Sequence, residues 1–148
     1  MKKIFLILII VFISKPVFSQ SNYTNMLDNF FSTYKTDREK ALNDIFNTNE
    51  WLTNNKKGLI SIQSRINHEI LQMGNYNGYE ELITTTLSDF LVLKSYVLKY
   101  DRQPILFTFI FYKAKDQWIL YDFNYDNDIN DELYDKARNQ YLNKSKSK

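Results

Sequence analysis

The side chains able to move protons are few and scattered. His68, in the stretch Arg65-Ile66-Asn67-His68-Glu69, is the one histidine of the chain. An imidazole titrates close enough to neutrality to serve as a general acid or base. Yet His68 stands two residues from both Ile66 and Ile70, across the helix from an apolar stripe, and that position points to a solvated surface side chain. Phenol and carboxylate together offer a second chemistry. Tyr100-Asp101 and Tyr112, with Tyr34 and Tyr76, could polarise a carbonyl and relay a proton as isomerases do. These positions are far apart in sequence, and no catalytic residue is assigned from them.

A third group is acidic. Asp122, Asp126, Asp128, Asp131, Glu132 and Asp135 crowd one stretch, and Asp126-x-Asp128-x-Asn130 follows the opening of an EF-hand loop. The sixth position, however, is Asp131 where that loop needs glycine, and the twelfth is Ala137 where it needs a bidentate glutamate. Acids at the start of a helix are favoured by its dipole, so the run reads as a helix entrance, with no metal and no cofactor assigned. The chain carries no cysteine, no glycine-rich phosphate loop and no Gly-x-Ser-x-Gly elbow.

What the chain has in quantity is rings: eleven Tyr, eleven Phe and two Trp. Aromatic side chains dominate core and interface burial, which is the expectation for Phe107, Phe109, Phe111 and Trp118. A subset lining a pocket for an apolar ligand is the sharper reading. The candidate pocket residues are Tyr34, Tyr96, Phe107, Phe109, Tyr112, Trp118 and Tyr121.

The elements that must position these rings follow from periodicity. Leu27, Phe30, Phe31 and Tyr34, then Ala41, Leu42, Ile45 and Phe46, recur at helical spacing. Thr36-Asp37-Arg38-Glu39 between them predicts two helical pieces, with Thr36 capping the second and Glu39 returning the bond. Asn47 to Lys57 reads as a polar turn from which Trp51-Leu52 tucks back onto the core. Gly58 opens a further helix with Leu59, Ile62, Ile66, Ile70 and Met73 on one face, and Gly74 ends it. Asn75 to Gly78 is a turn by composition.

From Ile83 onward the pattern is extended. Ile83 to Leu87 forms one strand, and Leu91 to Tyr100 a second with apolar residues on both faces. Ile105, Phe107, Phe109 and Phe111 alternate against Leu106, Thr108, Ile110 and Tyr112 in a third. Lys113 to Gln117 is a hairpin loop, after which Trp118 and Leu120 oppose Ile119, Tyr121, Phe123 and Tyr125. Asp128 to Leu142 predicts a polar helix with Leu133, Ala137 and Tyr141 on a weak stripe. Helices followed by strands predict α+β architecture with an antiparallel sheet. A sheet with one wet face alternates apolar with polar; here both faces are apolar, so something must cover the second. Helices account for one side, and a second copy of the chain is the expected cover for the other.

The ends bound location and charge. Met1-Lys2-Lys3, the apolar run Ile4 to Ile13, and Val17-Phe18-Ser19 have the layout of a signal peptide, residues 1–19, cleaved before Gln20. Ten apolar residues are too few to span a bilayer, which needs roughly 20, so no integral membrane segment is expected after cleavage. Loss of Lys2, Lys3 and Lys15 takes 19 basic side chains to 16 against 17 acidic. That balance gives no basic footprint for nucleic acid, and Lys144, Lys146 and Lys148 read as a solvated tail. Export to a periplasm or beyond follows, with residues 20–148 forming one domain.

With these elements in place, "FFSTYKTDREKALNDIF", the helix after "NKKG", and "FIFYKAKDQWILYDF" resemble the nuclear transport factor 2-like (NTF2-like) superfamily over about residues 25–126, leaving a C-terminal helix and basic tail at 127–148. The resemblance implies a strongly curved antiparallel sheet wrapped around N-terminal helices, a cystatin-like or NTF2-like cone with a partly apolar cavity. It also implies frequent pairing through the sheet. Members span enzymes, secretion components and binding modules, so the fold leaves the function open. The expected role is non-catalytic binding of a small apolar ligand or a partner protein, with homodimerisation through the sheet face. The alternatives are an isomerase or dehydratase using Tyr and Asp groups in the cone, and a structural subunit of an envelope complex.

Overall fold

A computed structural model of the chain describes residues 22–146, so the leader expected at 1–19 lies outside the described residues. Four helices come first: α1 Asn22–Tyr34, α2 Arg38–Phe46, α3 Glu50–Thr53 and α4 Lys56–Ile70. Four strands follow, β1 Tyr76–Ser88, β2 Leu91–Tyr100, β3 Ile105–Lys113 and β4 Trp118–Asp126, and then α5 Asn130–Lys146. The architecture is α+β, with one sheet in the order β1-β2-β3-β4, every neighbour antiparallel.

The break between α1 and α2 falls where expected, but a different residue makes it. Asp37, not Thr36, is the cap: its backbone is extended and its Oδ1 accepts the Lys40 N–H at 2.9 Å. The Thr36 hydroxyl turns back and donates to Thr33 O. From the Asp37 cap onward, Ala41, Leu42, Ile45 and Phe46 all face the core. Further on, Asn55 caps α4 by accepting the Gly58 N–H at 3.2 Å, so the helix begins two residues before the glycine expected to open it. Trp51 does not tuck in. It is 83% exposed while Leu52 packs on the core, because a single turn turns successive residues about 100° apart and only one can face inward.

Gly74 does end the α4 region, at φ +85°, and a Cβ there would lie 2.8 Å from the Asp101 Cβ. The turn expected at Asn75 to Gly78 is instead the start of β1. Gly78, at φ +109°, sits at a register shift between Tyr76 and Gly78, and the bulge lets the strand begin early.

The inner face of the sheet is a bed of rings. Ile105, Phe107, Phe109 and Phe111 alternate inward along β3. Phe30 of α1 meets Phe109 at 5.1 Å between ring centroids, and Phe46 of α2 meets Phe123 at 5.5 Å. Burying one such side chain contributes about 1.5–3 kcal/mol. Phe123 and Tyr125, expected on the face opposite Trp118 and Leu120, pack inward with them. A register shift explains it: Phe111 pairs with Leu120 and Ile110 with Asp122, so Tyr121 is an extra residue on β4. The inward parity, held by Trp118 and Leu120, moves by one and brings Phe123 and Tyr125 under the helices.

β1 and β4 are the edges of the sheet. At Leu120 of β4 both backbone groups are taken by side chains of the α2–α3 connection. The Leu120 N–H donates to Thr48 Oγ1 at 3.0 Å, and Asn49 Nδ2 donates to the Leu120 carbonyl at 2.8 Å. Asn49 is itself buried, and its Oδ1 accepts the Trp51 N–H to cap α3. Glu69 of α4 ties down the far end of β4, accepting from Asn127 Nδ2 and from the Tyr125 hydroxyl.

Candidate functional site

Five of the seven aromatic candidates lie between the helices and the sheet. Tyr34, Phe107 and Phe109 are 0% exposed, and Tyr96 and Trp118 are also buried. They touch rings. Phe109 has Phe30, Phe31, Tyr96, Phe107, Phe111 and Phe123 around it, and Trp118 stands edge-on to Tyr23 at 4.9 Å. Their surroundings are those of a packed core.

Tyr112 and Tyr121 lie on the opposite face. Their ring centroids are 6.2 Å apart, and Phe90 from the β1–β2 turn meets Tyr112 at the same distance. This short row is open to solvent, with Tyr121 59% exposed.

The tyrosines named for proton transfer are brought together only in part. Tyr34 and Tyr100 share a hydroxyl–hydroxyl bond of 2.9 Å, and Tyr76 packs edge-on to Tyr34. Burial holds the Tyr34 phenol well above the usual range, with Tyr100 and Tyr76 raising it further, and burial also raises Tyr100. Tyr76 is pushed up to about 12, by burial first and then by Tyr100 and Tyr79. Such phenols stay protonated. The carboxylate partner is turned away: Asp101 faces solvent, accepting from Asn77 Nδ2 and from the Asn75 backbone and side chain. Those bonds hold its carboxyl below the usual range, Asn77 contributing most. Tyr112 is on the other side of the sheet, and His68 is exposed.

One carboxylate does reach the edge of the inner face. Glu81 receives Thr84 Oγ1, Lys94 Nζ at 3.0 Å and the Tyr96 hydroxyl at 3.3 Å. Thr84 and then Lys94 hold its carboxyl low, while burial, followed by Glu81, pushes the Tyr96 phenol up. The acidic run before α5 serves the backbone: Asp126 accepts the Asp128 N–H and Asp128 the Asn130 N–H. Among the described residues no three His, Cys, Asp or Glu side chains are grouped to hold a metal ion, and no helix is long and apolar enough to cross a membrane.

A mainly aliphatic concavity lies elsewhere, between the outer face of the sheet and the start of α5. It has a volume of about 480 Å3. Val97 of β2 and Leu106 of β3, which pair across the strands, form its floor, with Leu82 and Ile83 of β1 beside them. A register shift between Glu81 and Ile83 is what allows two successive residues of β1 to line one space. Ile129 and Leu133 close it from above, Ser95 lies in the floor, and Lys136 stands at the rim. The Ser95 hydroxyl is already bonded to Thr108 Oγ1 at 2.7 Å. None of the seven aromatic candidates lines this hollow. Its signal in the sequence was the pairing of outward Val97 and Leu106 with the Leu133 stripe, aliphatic positions that a search for rings passes over. Comparison with protein-family models, curated proteins and solved structures found no match.

Proposed function

We propose that this chain is a non-catalytic binding protein of the NTF2-like class, exported by its leader, that takes a small apolar ligand in the hollow between the sheet and α5. The observation that carries the proposal is the hollow itself. At about 480 Å3 it falls within the usual range for ligand pockets, and its lining is six aliphatic side chains with Ser95 and Lys136. The order of helices, antiparallel sheet and terminal helix is compatible with the NTF2-like resemblance, and the packed rings on the inner side move the ligand away from the cone interior. The isomerase-type alternative has less support. An enzyme needs an ionisable group set inside its cavity, and the buried ionisable groups described above are phenols held neutral, with Asp101 outside. The test is the fluorescence of Nile red, a neutral apolar probe. Enhancement with the protein, lost in Leu106→Trp while circular dichroism is unchanged, is expected. No enhancement with the native protein would remove the proposal.

A second reading has its own observation. The row of exposed Phe90, half-buried Tyr112 and exposed Tyr121 suits a protein partner or a second copy packed against the sheet face. Sedimentation of the native chain and of Tyr121→Lys tests it: a dimer that the substitution dissociates is the expected result, and a native monomer at all concentrations refutes self-pairing.

A further inference from the structure

We infer that the ligand of the hollow is an acyl chain with a single anionic head, the chain laid along Leu106 and Val97 and the head paired with Lys136. The inference rests on the proposed binding role of that hollow and specifies its ligand. Three observations carry it.

The lining holds no ring. In a chain with eleven Tyr, eleven Phe and two Trp, the hollow is walled by Leu, Ile and Val alone apart from Ser95 and Lys136. Flat ligands are gripped by stacking on aromatic faces. A flexible hydrocarbon is served equally well by branched aliphatic side chains, which offer dispersion contact without imposing a plane.

The two polar lining groups differ in what they leave open. In the floor, the Ser95 hydroxyl is occupied by Thr108, so the interior asks for no second polar group on the ligand. The charge at the rim is Lys136.

Three neighbouring carboxylates are otherwise engaged. Glu80, opposite Val97 in the register, pairs with Lys99 at 2.8 Å. Asp126, opposite Leu106, accepts the Asp128 N–H. On α5 itself Asp135 pairs with Arg138 at 3.5 Å. Among the residues whose side chains are described, no carboxylate lies in an ion pair with Lys136. A lysine lining an apolar space offers a carboxylate head what it needs while the tail leaves water.

The experiment is calorimetric titration of the purified chain with dodecanoate, its methyl ester and dodecyltrimethylammonium, all below their micelle concentrations. Dodecanoate is expected to bind about fivefold more tightly than the ester, the preference expected of an ion pair at a wet rim, and to weaken as salt is raised. Lys136→Gln, at an exposed position, should bring acid and ester level. Lys136→Glu should favour the cationic amphiphile. Leu106→Trp should abolish binding of all three. Equal binding of acid and ester to the native chain, with both lost in Leu106→Trp, overturns the head assignment and leaves the hollow as the binding site. Acid binding that survives Leu106→Trp overturns the inference by moving the site. Failure of all three amphiphiles, together with silent Nile red, removes the binding role itself.

Discussion

Replacing Phe109 by alanine separates a ring that holds the fold from a ring that waits for a ligand. Phe109 is 0% exposed and stands among six other rings, at centroid distances from 5.1 to 6.3 Å. Truncating a phenylalanine so enclosed costs about 3–5 kcal/mol, because the transfer energy is lost and neighbours on β3, itself paired on both sides, cannot collapse into the space. Against a total stability of roughly 5–15 kcal/mol for a domain, that is a large fraction. With a urea slope of about 1.5–2 kcal/mol/M, the midpoint should fall by roughly 2 M. Phe109→Leu, which keeps most of the volume, should lose less than half as much. Equilibrium urea unfolding followed by tyrosine and tryptophan fluorescence is the assay. A midpoint shift below about 0.5 M for the alanine variant would refute the packed-core argument and restore Phe109 to the pocket.

The Tyr34–Tyr100 pair should behave as a coupled unit. Tyr34→Phe leaves the Tyr100 hydroxyl buried and unpaired and should cost about 1–3 kcal/mol, whereas the double Phe variant should cost less than the two singles summed. Urea unfolding of all four proteins closes that cycle, and simple additivity would refute the bond. High pH should unfold the protein through the same cluster. A phenol whose folded pKa is raised contributes stability that is complete below its ordinary value of 10.0 and is lost as pH rises through the folded value, about 12 for Tyr76. Absorbance at the phenolate band should therefore rise in two phases, exposed tyrosines first and Tyr34, Tyr76, Tyr96 and Tyr100 together with loss of circular dichroism; a single phase near pH 10 with the fold intact would contradict it. Asn49→Ala removes both the cap of α3 and the bond to Leu120, and should cost about 2–3 kcal/mol; thermal unfolding within a degree of the native chain would show that these bonds do not matter.

The elements were legible where periodicity was strong. Phe30, Phe31 and Tyr34, then Leu42, Ile45 and Phe46, could only be two helical faces, and the alternation of β3 could only be a strand. What misled were features that local pattern does not encode. Tyr121 looks like any strand residue, yet as the extra residue of a bulge it reverses the facing of Phe123 and Tyr125. Asp37 and Thr36 are both competent caps, and the Thr36 hydroxyl is taken by Thr33 O while Asp37 accepts the Lys40 N–H. The candidate rings were found because aromatic residues announce themselves, and most of them fill the core. The hollow went unseen because it is assembled by β1, β2, β3 and the start of α5 from ordinary aliphatic side chains.

The closure of β4 by Thr48 and Asn49 sets a limit on how this protein can polymerise. A strand added along β4 would have to displace both bonds at Leu120 and the buried Asn49 side chain with them. Among the described residues no side-chain bond closes the outer edge of β1 in this way. Two copies joined edge to edge through β1 would give an eight-stranded sheet with a blocked β4 at each end. Growth by strand addition would then stop at two, so the same two side chains that anchor a loop also oppose strand addition at β4.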